Sequence, residues 1–225
     1  MTTTDNREKN KAHTTYYDSR GNKLPGVTTV LNVTGFKTQG LMYWAWDMGM
    51  KGIDFRKARD SAADVGTLAH AMIMSHLRKE ELDLSEYSPK DVDQAQNCLI
   101  KYWDWEKQYN VKPALIEFPL IHDVLGFGGT LDLLAEVNHE LWLVDYKTSK
   151  GLYTDMLMQV GGYYLLLIEN HYEPKQVRIL RIGRSEDEGF EEKVLTLKEA
   201  EYYADGFIDA LRLYKWSKGA KKNGS

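Results

Sequence analysis

The chain has 225 residues, with 29 Lys and Arg against 33 Asp and Glu for a formal charge of −4; 43% of residues are apolar and 28% charged. That length suits one domain with an elaboration, and the composition excludes a disordered polyelectrolyte or a fibrous protein. The acidic balance argues against coating nucleic acid through bulk charge, though not against a local grip that also uses carboxylates for chemistry. A single cysteine, Cys98, excludes a disulfide framework, a four-cysteine zinc site and a four-cysteine iron–sulfur cluster. The uncharged stretch at 156–168 is too short for a membrane span of about 20 residues. Residues 1–11 are polar and lack the apolar core of a secretory signal, so a soluble, cytoplasmic protein is expected, with no membrane partner.

In chain order, residues 1–15 lack periodicity and read as a loose tail. Residues 16–31 carry two sets of turn residues, Asp18-Ser19-Arg20-Gly21-Asn22 and Leu24-Pro25-Gly26, around short β-prone pieces. From 40 to 80 the pattern is helical. Leu41, Trp44, Ala45 and Met48 recur at helical spacing, and Ser61 with Asp64 predicts the capping box of a second helix whose apolar face runs from Val65 to Leu77. Ser88-Pro89-Lys90-Asp91 opens a third helix to about Tyr109, with Val92, Ala95, Leu99 and Trp103 on its inner face. After Pro113 the period becomes that of strands, at 114–121, 127–137 and 141–148, the last two joined at Asn138-His139-Glu140 as an antiparallel hairpin. A helix at 153–170, strands at 176–182 and 190–197, and a helix at 198–217 follow, before a polar tail at 218–225. The expectation is one mixed α/β (α+β) domain over 16–217, mainly helical at 16–110 and sheet-bearing at 111–217.

The informative stretch is Gly128-Gly129-Thr130-Leu131-Asp132 followed by Leu143-Val144-Asp145-Tyr146-Lys147-Thr148. Asp145 and Lys147, two apart on a strand, project from one face, and Asp132 lies at the same end of the neighbouring strand. Two carboxylates beside an ammonium suit a hard divalent cation such as Mg²⁺ or Mn²⁺. The lysine would position or activate a water, or neutralise charge on phosphate. The spacing alone is weak, since Glu173 with Lys175 and Glu191 with Lys193 repeat it as ordinary solvated charge. Only the first pair follows a core-type run, Leu141-Trp142-Leu143-Val144, where unpaired charge is costly; a structural ion pair is the bland alternative.

Taken together, "GGTLD", "LVDYKTSK" and "QVGGYY" resemble the PD-(D/E)XK nuclease superfamily in its RecB-like branch, which includes phage exonucleases and is similar to the mitochondrial genome maintenance exonuclease. Gly66-Thr67-Leu68-Ala69-His70 matches the histidine motif of that branch, and Gln159 and Tyr163 match its glutamine and tyrosine; "LPGVTTVL" and the Trp44-rich helix also look like phage-type members. The resemblance spans about 24–164 and departs from the branch in lacking a proline before Asp132. It implies a restriction-endonuclease-like core, a central mixed sheet flanked by helices with an N-terminal helical elaboration. It further implies that His70, Asp132, Asp145 and the Tyr146 carbonyl bind one or two Mg²⁺ or Mn²⁺ ions and that Lys147 is the catalytic lysine. Gln159 and Tyr163 would orient the site or touch the nucleic-acid backbone. No iron–sulfur cluster is implied.

Read singly, His70 is more often a core or flank histidine than a ligand, and the downstream motifs tip it toward ligand. Glu117 is balanced between an acidic residue near the metals and an edge-strand ion pair. Gly126, Gly128 and Gly129 lack dinucleotide-binding spacing and mark a bulge or a close approach of backbone. Trp44 and Trp103 read as core, while Trp46 and Trp105 are the better base-stacking platforms. Lys51, Arg56, Lys57 and Arg59 read as the rim of a nucleic-acid channel because they precede the His70 helix; Arg178, Arg181 and Arg184 read as ordinary surface. Lys150, after the motif, is a phosphate contact or a solvated turn residue.

The expected function is a metal-dependent DNA nuclease, foremost an exonuclease using metal-activated water in recombination, repair or end processing. Linear or single-stranded DNA ends would be its substrate, and a recombination protein its partner. A structure- or site-specific endonuclease of the same fold is the alternative. A non-catalytic nucleic-acid-binding protein is the different class, against which the intact Asp132, Asp145 and Lys147 argue.

Overall fold

The computed structural model describes residues 14–223, and most of the predicted N-terminal tail lies outside them. The first ordered elements are a two-stranded hairpin, β1 (Tyr16–Tyr17) and β2 (Lys23–Leu24), closed by the predicted turn at Gly21, and a short helix α1 (Val27–Leu31). After a 3-10 turn at Asn32–Thr34 come α2 (Phe36–Met50), α3 (Phe55–Arg78) and α4 (Pro89–Tyr109). Helix α3 starts earlier than the Ser61 capping box predicts. Asp54 caps it, its carboxylate accepting from the amides of Arg56 at 2.9 Å and Lys57 at 3.4 Å, and Ser61 falls inside the helix. Helix α4 opens as expected, with Ser88 Oγ accepting from the Asp91 amide at 3.2 Å and proline in the first turn. Its inner seam is Ala95, Cys98, Tyr102 and Trp105, turned slightly from the predicted face, while Val92, Leu99 and Trp103 flank it.

The sheet follows as β3 (Lys112–His122), β4 (Phe127–Val137), β5 (Glu140–Lys147), β6 (Gln176–Ile182) and β7 (Phe190–Leu195), side by side in that order. Neighbours are antiparallel except β5 and β6, which run parallel because α5 (Thr154–Glu169) crosses over between them. The β4–β5 turn takes only Asn138 and His139, both at positive φ (51° and 67°), the backbone that a two-residue hairpin requires. Helix α6 (Leu197–Asn223) runs past Ser217, the end predicted from sequence.

Both faces of the sheet are covered. One cluster packs Val27, Val30, Leu131, Leu143, Tyr163, Leu166 and Phe207 between the sheet and α1, α5 and α6. The other packs Leu68, Ile73, Tyr102, Trp105, Leu133, Val144 and Tyr146 between the sheet and α3 and α4. Among the described residues no helix is long and apolar enough to cross a membrane.

Arg178 shows why the second basic cluster belongs to the fold. Its guanidinium lies 3.7 Å from the centre of the Trp142 ring and pairs with Glu192, which also accepts from Trp105 Nε1 at 2.7 Å. Arg181 pairs with Glu191 and Arg184 with Glu188. Trp105, 2% exposed and tied to this network, is a core residue and no stacking platform.

Candidate active site

The site forms where β4 and β5 part. Their ladder pairs Val137 with Glu140 and ends at Leu133 with Val144. One step further, Asp132 and Asp145 would stand opposite each other, but the strands separate. The Tyr146 amide, left without a strand partner on β4, donates instead to Asp132 Oδ2 at 2.8 Å. The alternation of β4 also slips here, since Leu131 belongs to one core cluster and Leu133 to the other. Asp132 therefore serves as a sheet residue and as a charged group at the mouth of the fork.

Helix α3 brings His70 to this point. Leu68, Ala69, Met72 and Ile73 are buried against the sheet, and His70 stays 29% exposed with Nδ1 3.4 Å from Asp132 Oδ1 and its ring edge-on to Tyr146. Gly66 explains the glycine of the histidine motif. A Cβ there would come 2.8 Å from Thr148 Oγ1, so a side chain on α3 here would press on the end of β5 unless Thr148 turned away. Burial disfavours the His70 imidazolium, but the Asp132 carboxylate outweighs it and the net shift is upward from 6.5.

Asp145 sits deeper, 1% exposed, on the face shared with α5. Lys147 Nζ makes an ion pair with its Oδ2, yet neither carboxylate oxygen accepts a hydrogen bond in good geometry. Loss of solvent pushes the Asp145 carboxyl up to about 6, with Lys147 pulling against the rise. Asp132 moves the other way. Burial raises it, but His70, Lys147 and the Tyr146 amide together hold it below the ordinary aspartate value. Two carboxyl groups on adjacent strands are thus driven apart in acidity, a pattern of functional sites.

On α5, Gln159 Nε2 donates to Tyr163 Oη at 2.7 Å, joining the two residues in one pair. Burial and the nearby Asp145 and Asp132 keep the Tyr163 hydroxyl protonated. Glu117 lies across from Asp132, between the pairs Ile116–Leu133 and Phe118–Leu131, and lines a small cavity with His70, Asp132 and Tyr146. Its φ of 44° is left-handed backbone inside a strand, a conformation that costs roughly 1–3 kcal/mol and clusters at functional sites.

Among the described residues no three His, Cys, Asp or Glu side chains gather as a ready ligand cluster. Each carboxylate instead faces a basic side chain of the protein, Lys147 at Asp145 and His70 at Asp132. The donor chemistry nevertheless fits a divalent ion: Asp145 holds two buried oxygens with no hydrogen bond, and Asp132 and Glu117 bring further hard oxygens to the same fork.

The predicted rim stands apart. Lys51 pairs with Asp47 and Arg59 with Asp60, while Arg56 and Lys57 make no ion pair among the described residues. At 1.5 Å per residue, Arg56 lies about 20 Å along α3 from His70. Trp46 is 67% exposed on α2, and Lys150 is exposed just beyond β5. His76, off the His70 face as expected, pairs with Glu106 at 2.7 Å.

One residue escaped the sequence reading. Tyr16, from the first hairpin, covers Gly128 so closely that any Cβ there would enter its ring, and its hydroxyl bonds Thr130 Oγ1 at 2.8 Å. The double glycine signals a close approach of something, but nothing in the local sequence names Tyr16.

A family model for the PD-(D/E)XK nuclease superfamily matches residues 47–220. Two solved structures are similar at low identity. A presumed exonuclease from Eubacterium rectale shares 9% identity at a TM-score of 0.45, over 66% of this chain and 67% of its own. An alkaline exonuclease from Laribacter hongkongensis shares 12% at a TM-score of 0.35, over 72% and 91%. A search of the curated proteins finds no match.

Proposed function

The chain belongs to the PD-(D/E)XK nuclease superfamily, and from that premise we propose that it is a metal-dependent deoxyribonuclease, acting as an exonuclease on linear DNA. The observation that carries this reading is the strand fork, where a buried Asp145, ion-paired with Lys147 but without a hydrogen bond in good geometry, stands near Asp132. A charge arrangement this costly to the fold is understandable as a site kept for a cation and a phosphate.

Asp132, Asp145, His70 and the Tyr146 carbonyl would hold Mg²⁺ or Mn²⁺, with Glu117 as a further oxygen donor; when bound, such an ion supplies Lewis-acid stabilisation of charge on the phosphate and lowers the pKa of water. Asp132, kept ionised, holds His70 in place through Nδ1 and the fork in place through the Tyr146 amide. Lys147, only 12% exposed at its side chain, presents its ammonium from a β-strand, which suits neutralising charge on a phosphodiester or orienting the attacking water. Tyr163, protonated and bridged by Gln159, offers a neutral donor to the nucleic-acid backbone. Lys51, Arg56, Lys57, Arg59, Lys150 and Trp46 would contact DNA farther from the reacting phosphate. A role in recombination, repair or end processing, with a recombination protein as partner, accords with an exonuclease acting on DNA ends.

The test is incubation with end-labelled linear and circular DNA, single- and double-stranded, in Mg²⁺, Mn²⁺ or EDTA. Degradation of linear DNA alone supports the exonuclease, and cutting of circles converts the reading to an endonuclease. Activity that persists in EDTA, or survives Asp145→Asn and Lys147→Ala, removes the site assignment.

A further inference from the structure

The motif Leu24-Pro25-Gly26-Val27-Thr28-Thr29-Val30-Leu31 has no part in the chemistry above, although it is one of the more distinctive runs in the sequence. In the fold it lies beside the site. The Gly128 amide donates to Pro25 O at 3.0 Å, and Gly26 bridges to Gly128, which ties the motif to β4 four residues before Asp132. Val27, Val30 and Leu31 are buried, while Thr28 and Thr29 are exposed.

Between this motif and α6 opens a cleft of about 640 Å³. Among the described residues, eight that line it carry hydroxyls, Lys23 is its one cationic side chain, and no Asp or Glu lines it. In a chain with 33 acidic residues and a net charge of −4, this is a wall whose described residues add no negative charge of their own. The neighbouring cleft, lined by His70, Glu117, Thr67 and Thr148, shares Thr14, Tyr16 and Thr130 with it. The Tyr16–Thr130 hydrogen bond therefore forms the sill between the two. Tyr163 lines the hydroxyl-rich cleft while feeling the charge of Asp145 and Asp132, so the cleft reaches the fork from the α5 side as well.

We infer that the cleft under the N-terminal hairpin is a strand-binding subsite that holds the sugar–phosphate backbone of a DNA strand leaving the fork, chiefly through neutral hydroxyls, with Lys23 its one cationic phosphate contact. The inference rests on the nuclease reading above and adds the path of the substrate. Hydroxyls donate to phosphate oxygens without sequence preference and position the strand without reading bases. A weakly charged track of this kind also lets a strand advance after each cleavage, since few counterion-releasing contacts must break.

The experiment uses the full chain and fluorescein-labelled oligothymidylate. Anisotropy is read across a salt series in EDTA, and cleavage of the same strand is read in Mg²⁺. Lys23→Ala is expected to lower the slope of log K against log salt by about 0.7, the value for one phosphate on a single strand. Thr28→Val with Thr29→Val, which keeps shape and removes hydroxyls, is expected to raise KM roughly threefold to tenfold with kcat unchanged, as loss of uniform binding requires. Lys198→Ala, at the far end of α6 and roughly 25 Å along that helix from Tyr214, is the charge control and should leave the slope unmoved. If the wild type cleaves and both cleft variants match it in slope and KM, the subsite is overturned and the nuclease reading stands. If the wild type binds with a Lys23-dependent slope but never cleaves, the subsite stands and the nuclease reading falls. A wild type that neither binds nor cleaves removes both.

Discussion

Lys147→Met isolates what the lysine does for the metal-free fold. Methionine keeps the length and apolar stem and removes only the ammonium facing Asp145. The Asp145 carboxyl moves from an ordinary 3.8 to about 6 on folding. An acid raised in the folded state loses stability as pH climbs from its unfolded to its folded value, because the unfolded chain releases the proton first. At 1.36 kcal/mol per unit, the wild-type protein gives up about 3 kcal/mol above pH 6. Removing the ammonium takes away the pull that opposes the rise; a carboxyl then still protonated at pH 7.5 gives, by the same arithmetic from 3.8, about 5 kcal/mol. The variant should therefore be about 2 kcal/mol less stable than wild type at pH 7.5 and nearly equal to it at pH 5, where Asp145 is protonated in both folded proteins. Urea unfolding in EDTA at the two pH values measures this. An equal loss at both would show that lost packing, and not charge, is responsible, and the Asp145→Asn/Lys147→Met double variant should show no such pH-dependent gap.

Asp132→Asn keeps an oxygen for the Tyr146 amide and should retain stability while losing cleavage. Asp132→Ala should lose cleavage and also about 1–3 kcal/mol of stability from the orphaned amide, read by urea unfolding. Gly66→Ala drives a methyl against Thr148 Oγ1 and should lower kcat, with Thr148→Ala in the same chain restoring much of it. Glu192→Leu strands a buried Arg178 and should cost about 3–5 kcal/mol by the same unfolding assay, while the KM of folded enzyme on DNA stays unchanged.

The period change after Pro113, the Ser88 cap and the hairpin before Asp145 were legible because each rests on local chemistry: alternation, capping and turn geometry. Asp145 and Lys147 could be paired from strand alternation alone. Their different depths could not, since Asp145 is buried by α5, which follows it in sequence. The start of α3 was misplaced because Ser61 and Asp64 form a plausible box, while Asp54 lies before a run of charged residues that disguises a helix. Trp105 was misread for a tertiary reason: its indole finds Glu192, some ninety positions away on the last strand. Tyr16 was invisible on the same ground, as its partner Thr130 is 114 residues distant.

The packing of α6 on α5 has a consequence for synthesis. A Cβ at Gly161 would lie 2.5 Å from the backbone of Tyr203 and Ala204, so these helices meet main chain to main chain, two residues before Tyr163. The ribosome releases residues 197–223 well after the strands that carry Asp132, Asp145 and Lys147. Until that last helix docks, α5 lacks the surface that seats Gln159 and Tyr163 over the fork.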